Sequence, residues 1–174
     1  MNSNLLHVFQ KKIHSFFKSK RINHELISDS ALDTLKILKK NNFDAFIVGG
    51  AIRDILMDYK PKDFDIATNA TPEQVRSIFK KSRIIGRRFK LVHVIYGREI
   101  IEVSTFRAKP RQKIQMSNGV LKDNEYGSIK EDAERRDFTI NALYYDVEDK
   151  NLIDFYGGLR DIQDNQLRLI GKPK

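Results

Sequence analysis

The stretch that most constrains the fold is IVGGAIRDILMDYKPKDFDI, residues 47–66. The apolar run from Asp44 to Val48 predicts a buried strand. Gly49-Gly50 then predicts a turn where backbone can lie against a ligand, because neither residue has a Cβ. Apolar side chains at helical spacing predict a helix from Ala51 to Met57. Residues 63–66 (DFDI) predict a second strand, so the stretch encodes strand, glycine turn, helix and strand in order.

The second predicted strand carries two aspartates. On a strand, residues i and i+2 share a face, so Asp63 and Asp65 are expected to point together while Phe64 points into the core. Adjacent carboxylates repel each other, which makes them good ligands for a hard divalent cation. A glycine pair alone is usually only a turn, and such an aspartate pair alone is usually solvated charge. Combined in this frame, they indicate a site for nucleotidyl transfer.

The wording GGAIRD…KDFDIAT resembles the class II branch of the polymerase-β-type nucleotidyltransferases, which includes the bacterial poly(A) polymerases and CCA-adding enzymes. The resemblance implies an α/β (α+β) head domain with a mixed sheet of about five strands flanked by helices. It also implies that Asp63 and Asp65 bind a catalytic pair of Mg²⁺ ions. In the same family, Gly49, Gly50 and Arg53 would meet the triphosphate of the nucleotide.

A second motif, RRDFTINALYYD, begins at Arg135. A capping box at residues 128–131 predicts a helix that runs through about Leu143. Asp137 and Asn141 would then share one helix face. Taken alone, this is an ordinary salt-bridged face. The resemblance implies that Arg136 contacts the nucleotide and that Asp137 and Asn141 lie at the sugar and the active centre.

A third carboxylate is expected near the aspartate pair. The pattern from Phe89 to Phe106, with Gly97-Arg98 in the middle, predicts a β-hairpin. Glu102 is then a lone acid among β-branched residues on a central strand, which is costly unless it is paired or bound to metal. The alternatives are that Glu102 pairs with Arg107 or Arg98, or that Asp137 is the third carboxylate.

Basic residues are concentrated in two acid-free stretches. The 174-residue chain has a formal net charge of +9. Residues 107–122 hold five basic residues, and residues 74–98 hold eight: Arg76, Lys80, Lys81, Arg83, Arg87, Arg88, Lys90 and Arg98. Such stretches around an acidic centre predict an RNA partner. Arg87, Arg88, Lys90 and Arg107 are the candidate RNA-binding residues. A basic RNA-binding module without catalysis is an alternative that explains the charge but not the paired aspartates.

The chain is expected to divide into a basic N-terminal arm, residues 1–22, and a head domain, residues 23–174. Residues 109–124 predict a mobile loop. Cys is absent and the four His are not clustered, which argues against zinc. No apolar run approaches the ~20 residues of a membrane span, so no membrane partner is expected. The protein is expected to be cytoplasmic and monomeric.

The function predicted from these features and the resemblance is template-independent transfer of AMP from ATP to RNA 3′ ends by a two-metal mechanism. Residues 84–107, IIGRRFKLVHVIYGREIIEVSTFR, resemble the poly(A) polymerase version of the family more than the CCA-adding version, which is the alternative. In the family, the residues that read the base lie in neck helices after the head. The chain ends at Lys174, before such a motif, and weak or absent turnover by the chain alone is expected.

Overall fold

The structure is a computed structural model. It describes residues 22–87, 89–108 and 126–171, and the backbone of residues 115–117 and 120–122. At its centre lies a seven-stranded sheet with the order β3-β4-β5-β2-β1-β8-β9. The strands of this sheet are β1 (Ala45–Val48), β2 (Asp65–Thr68), β3 (Ser82–Ile85), β4 (Leu91–Tyr96), β5 (Glu99–Thr105), β8 (Leu143–Asp146) and β9 (Asn151–Asp154). A separate hairpin joins β6 (Gln115–Ser117) to β7 (Val120–Lys122).

The sheet is mixed, because β2 and β5 run parallel while its other neighbouring strands run antiparallel. The predicted α/β class is therefore confirmed, with seven strands in the sheet rather than about five. The sequence pattern missed β3, an edge strand in which Ser82 is buried and the other three residues are exposed. A strand with one buried residue has no apolar alternation to detect.

Five α-helices surround the sheet in the described residues: α1 (Asp29–Lys40), α2 (Gly50–Leu56), α3 (Pro72–Ile78), α4 (Ile129–Glu134) and α5 (Gly158–Gln163). Single 3₁₀ turns lie at His24–Leu26 and Thr139–Asn141. A capping box starts α3, with Thr71 and Gln74 bonded reciprocally. No helix in the described part of the chain is long and apolar enough to cross a membrane.

Two buried clusters lie on opposite faces of the sheet. Adjacent residues of a strand point to opposite faces, and on β1 Ile47 belongs to the larger cluster while Val48 belongs to the smaller. The larger cluster packs α1, α2 and α3 against the sheet, and Ile22 joins it with 8% of its surface exposed. The smaller cluster contains Val48, Ala67, Phe106, Ala133, Ala142 and Tyr144. Residues 1–21 of the expected arm lie outside the described residues.

The helix predicted from residue 128 to about Leu143 is wrong beyond its first turns. Its capping box forms as predicted, but α4 ends at Glu134. The chain then pairs with the segment near residue 169. Thr139 N donates to Arg168 O at 3.0 Å, and Ile170 N donates to Asp137 O at 2.8 Å. These tertiary hydrogen bonds replace the helical ones, so the shared helix face expected for Asp137 and Asn141 does not exist.

Candidate functional site

The glycine turn joins β1 to α2, and its backbone lies between an acid and a base. Gly49 has φ +77° and ψ −142°, a region that is open essentially to glycine alone. A Cβ on Gly49 would lie 3.6 Å from Asp65 Oδ2 and 3.7 Å from Arg136 Nη1. A Cβ on Gly50 would lie 3.3 Å from Arg53 Nη2. The turn therefore brings bare backbone close to two arginines and one carboxylate.

Asp65 and Glu102 lie directly opposite each other on the parallel pair β2 and β5. Asp63 departs from the prediction, because β2 begins at Asp65 and Asp63 precedes it. Phe64 is buried as predicted, with 4% of its surface exposed. Asp65 is exposed, and its Oδ2 lies 3.6 Å from the position that a Cβ on Gly49 would occupy.

The charges around Asp65 show which residues the fold brings together. Desolvation raises the pKa of Asp65, the negative charges of Glu102 and Asp63 raise it further, and the positive charge of Arg136 lowers it. The net result is a raised pKa. Three carboxylates therefore interact here, and one arginine offsets their repulsion only in part.

Glu102 has a further neighbour on its other side. His93 lies opposite Glu102 on β4, with His93 Nε2 3.5 Å from Glu102 Oε2. Among the described residues, the side-chain partner of Glu102 is thus His93 and neither Arg98 nor Arg107. The predicted assignment of Glu102 to a central strand is confirmed, since β5 lies between β4 and β2.

Arg136 is held by a buried aspartate that the sequence analysis missed. Asp132 is fully buried, and its Oδ2 accepts from Arg136 Nη2 at 3.3 Å and from Tyr144 Oη at 2.7 Å. Arg136 Nε also donates to Tyr144 Oη at 3.0 Å. Asp132 lies four residues before Arg136, and this spacing on a predicted helix is the signal that could have identified it.

The same aspartate engages Arg135 and the end of β5. Asp132 Oδ1 accepts from Arg135 Nε at 2.8 Å, from Arg135 Nη2 at 2.6 Å and from Arg107 N at 3.1 Å. Burial alone would raise the pKa of Asp132, but the two arginine charges and these hydrogen bonds outweigh it and lower the pKa. The Arg135 guanidinium is thus hydrogen-bonded to Asp132, while Arg136 extends toward Gly49 and Asp65.

Asn141 connects α2, the helix after the glycine turn, to the second motif. Arg53 Nη1 donates to Asn141 Oδ1 at 2.9 Å, and the rest of the Arg53 guanidinium binds Asp54. Asn141 Nδ2 lies 3.4 Å from Asp137 Oδ1, which also accepts from Phe138 N. Arg53, Asn141 and Asp137 are therefore brought together as a polar group. Asp137 is not among the charges that shift the Asp65 pKa.

The predicted RNA-binding residues are in varied surroundings. Lys90 Nζ forms an ion pair with Glu73 Oε1 at 2.9 Å. The Arg107 guanidinium lies 4.4 Å from the centre of the Phe89 ring. Arg87 is exposed, and Arg88 lies outside the described residues. Their assignment to RNA stays a prediction.

The donor set fits a divalent cation in its chemistry. Hard cations such as Mg²⁺ prefer carboxylate oxygens, and Asp65 and Glu102 present such oxygens side by side with Asp63 close enough to interact. Within residues 22–87, 89–108 and 126–171, no three His, Cys, Asp or Glu side chains are already assembled around one ion position. Mg²⁺ commonly binds proteins through one or two carboxylates and keeps several waters, so a larger cluster is not required.

Comparison with known proteins gives consistent results. Residues 45–168 match the family described as the poly A polymerase head domain. Poly(A) polymerase I of Escherichia coli is 50% identical over 161 residues, which cover 88% of this chain and 35% of that protein. The CCA-adding enzyme of Bacillus licheniformis is 42% identical over 144 residues, covering 82% of this chain and 35% of that protein.

A solved structure shares the fold. The Bacillus stearothermophilus CCA-adding enzyme in complex with CTP superposes with a TM-score of 0.69 at 37% identity, covering 81% of this chain and 33% of that chain. This chain thus spans about a third of the length of the relatives it matches. The family match extends from β1 to Arg168 and includes the glycine turn, the carboxylates and the second motif. The chain therefore belongs to the poly A polymerase head-domain family.

Proposed function

We propose that this chain is the catalytic head of an RNA nucleotidyltransferase that transfers AMP from ATP to RNA 3′ ends. The observation that carries the proposal is the register of β2 and β5, which sets Asp65 beside Glu102 on one side of the glycine turn. The relatives named poly(A) polymerase I are 50–51% identical to this chain, and those named CCA-adding enzyme reach 42%. That difference favours AMP transfer.

Asp63, Asp65 and Glu102 are the residues that would hold Mg²⁺. When bound, Mg²⁺ would lower the pKa of the RNA 3′-hydroxyl and stabilise the charge of the leaving pyrophosphate. Glu102 is a better candidate than Asp137 for the third carboxylate. Its charge acts on Asp65 directly, whereas Asp137 is engaged with Asn141 and Phe138 N.

Arg136 and the glycine turn would bind the triphosphate. Bare backbone at Gly49 and Gly50 permits close approach of phosphate oxygens. Arg136 is already oriented toward Gly49 by Asp132 and Tyr144, so little side-chain freedom would be lost on binding. Arg53 is expected from the resemblance to meet the triphosphate, but its guanidinium is bonded to Asp54 and Asn141. Together with Asn141 and Asp137, Arg53 therefore forms the neighbouring polar group that would meet the ribose.

CCA addition is the second candidate function. The structural similarity to a CTP-bound CCA-adding enzyme supports it, since both activities would use the same carboxylates. The nucleotide that is incorporated separates the two. That the protein acts as a monomer stays a prediction.

The test is Mg²⁺-dependent labelling of an RNA oligonucleotide by each of four labelled nucleoside triphosphates, with Mg²⁺–ATP binding measured by calorimetry in parallel. We expect labelling by ATP, slow in this chain and not exclusive to ATP, and binding of Mg²⁺–ATP. Asp63→Asn and Asp65→Asn should each reduce the rate about 10²-fold or more, equivalent to ~3 kcal/mol of transition-state stabilisation. Labelling confined to CTP followed by ATP would instead assign CCA addition.

If both variants kept full Mg²⁺–ATP binding and full labelling, Asp63 and Asp65 would be excluded from the site. Binding of RNA without any Mg²⁺-dependent nucleotide binding would instead favour a basic RNA-binding module without catalysis.

A further inference from the structure

We propose that the outer face of β3, β4 and β5 binds the RNA strand next to its 3′ end, with Lys81 and Arg83 contacting its phosphates. This inference rests on the proposed function, because it concerns the second substrate of the same site. We name this surface the RNA track. It comprises Lys81, Arg83, Ile85, His93, Ile95 and Ile100.

The strand register sets the track in line with the carboxylates. Arg83 lies opposite His93, His93 lies opposite Glu102, and Glu102 lies opposite Asp65. Directly opposed residues on neighbouring strands share a face of the sheet. Neighbouring strands are about 4.8 Å apart, so three strand spacings set the Arg83 backbone ~14 Å from that of Asp65. Acid and base thus lie at opposite ends of a single row.

Apolar side chains flank this row on both sides. Ile95 lies opposite Ile100, and Ile85 lies opposite Leu91. Ile100 is 48% exposed and Ile85 is 40% exposed. Ile101, which follows Ile100 on β5, and Val92, which follows Leu91 on β4, point to the other face and are completely buried. The helices of the larger cluster therefore cover one face of this half of the sheet, and the face bearing Glu102 is open.

The positive charge of the open face indicates which kind of partner it binds. Lys81 O accepts from Ile95 N at 2.9 Å, which extends the pairing of β3 and sets Lys81 on the same face as Arg83. Both residues are exposed, and neither has an ion pair or hydrogen bond to a side chain in the described part of the chain. Exposed basic residues beside apolar ones suit a single-stranded nucleic acid, whose phosphates and base faces need these two kinds of contact.

The two substrates are assigned to opposite sides of Asp65. On the β1 side, Val48 lies opposite Asp65, and the glycine turn and Arg136 follow directly. That side is assigned to the triphosphate. On the β5 side, the row leads through Glu102 and His93 to Arg83. An RNA strand along this side would end at the carboxylates, opposite the nucleotide that it attacks.

The first experiment removes two charges from the track and two from elsewhere. The double variant Lys81→Gln/Arg83→Gln is compared with Lys36→Gln/Lys40→Gln, whose lysines are exposed on α1 and whose net charge is the same. Binding of a short single-stranded oligoadenylate is measured across about 50 to 200 mM salt. Each lost phosphate contact should reduce the log–log salt slope by ~0.7, so the track variant should lose ~1.4 and the α1 variant none.

The outcomes separate this inference from the proposed function. If the unaltered chain binds RNA and Mg²⁺–ATP, but both double variants lose the same slope, the track is wrong and the function stands. RNA binding that is unaffected by the track variant would leave the face to another partner, such as an acidic protein segment, and would also overturn the inference. If the unaltered chain binds neither RNA nor Mg²⁺–ATP, the proposed function fails and the track fails with it.

A second experiment locates the RNA directly. The chain contains no Cys, so a single introduced thiol reports on one position. Alkylation of Ile100→Cys should slow when oligoadenylate is bound, whereas alkylation of the control Lys40→Cys should not change. Equal alkylation rates of Ile100→Cys with and without bound RNA would overturn the assignment.

Discussion

At the scale of single residues, ionisation of Asp65 costs free energy in the folded protein, through desolvation and charge repulsion. The pKa of Asp65 is raised by desolvation and by the charges of Glu102 and Asp63. An acid whose pKa is higher in the folded state than in the unfolded state destabilises the fold when it is ionised. This cost is present at neutral pH and disappears as the pH falls through the folded-state pKa. A bound divalent cation would remove the same cost.

Asp65→Asn should therefore raise the melting temperature of the metal-free protein at neutral pH. The gain should shrink as the pH is lowered toward the ordinary range of an aspartate, about 4. Thermal melts in chelator and in Mg²⁺ measure both effects. The variant should also lose the stabilisation that Mg²⁺ gives the unaltered chain. A lower melting temperature of the variant in chelator would contradict the assignment of repulsion to this site.

Asp132 is the residue whose loss should cost the most stability. It is fully buried and serves Arg135, Arg136 and Tyr144 together. Removing one partner of a buried ion pair costs about 3–5 kcal/mol. Asp132→Asn should show this in urea unfolding, and it should weaken Mg²⁺–ATP binding because Arg136 is released. Asp146→Asn, which breaks the Lys39 ion pair at the far end of β8, is the control and should leave ATP binding unchanged.

The two adjacent arginines should separate in function. Arg135 binds Asp132 through two nitrogens, whereas Arg136 also reaches Gly49 and Asp65. Arg136→Ala should weaken Mg²⁺–ATP binding, and Arg135→Ala should mainly lower the free energy of unfolding. Calorimetric titration of ATP with Mg²⁺ into both variants checks this. Equal loss of affinity in the two would show that the distinction is wrong.

At the scale of elements, the glycine turn and the end of α4 decide where the site forms. Gly49 lets β1 enter α2 at once, with φ +77° and ψ −142°. The early end of α4 lets Asp137 and Asn141 lie on the following turns beside α2. Both features serve the same end, because they bring backbone and polar groups of distant segments within reach of Asp65.

Gly49→Ala should destabilise the fold by ~1–3 kcal/mol, because its backbone conformation is open essentially to glycine. The added methyl group would also lie 3.6 Å from Asp65 Oδ2, in the space assigned to phosphate. Gly171→Ala is the control, since Gly171 also has positive φ but an added Cβ would meet no atom within 4 Å. Unfolding in urea and ATP titration should show that only Gly49→Ala loses ATP binding.

At the scale of the whole molecule, the described site offers phosphate and ribose contacts rather than a reader of bases. The groups proposed to bind the nucleotide are glycine backbone, arginines and carboxylates. Discrimination between bases needs hydrogen bonds that a wrong base leaves unpaired, each worth ~1–3 kcal/mol. The described fold therefore supports nucleotide binding in general and gives no preference among the four bases.

This chain should accordingly bind ATP, CTP, GTP and UTP with Mg²⁺ at similar, weak affinity. Calorimetry with the four triphosphates measures the differences. A preference for ATP of about tenfold, or ~1.4 kcal/mol, would show that residues of this chain read the adenine. The location proposed here for the phosphate site would be unaffected by that result.

The sequence by itself determined the local frame of the site. The apolar run before Gly49-Gly50, the helix after it and the capping box at Ser128 all form as predicted. These features depend on residues a few positions apart, so backbone propensity and local hydrogen bonds decide them. The placement of Glu102 on a central strand also followed from local alternation, since its strand neighbours Ile101 and Val103 are buried.

Only the tertiary structure decided which carboxylates meet and where the second motif turns. The pairing of Asp65 with Glu102 depends on the parallel register of strands that are 37 positions apart at these residues. The end of α4 at Glu134 depends on hydrogen bonds to Arg168 and Ile170. Such contacts join segments whose separation in the chain carries no periodic signal. Strand register and tertiary hydrogen bonds, which form only when the sheet assembles, therefore set the final geometry of the site.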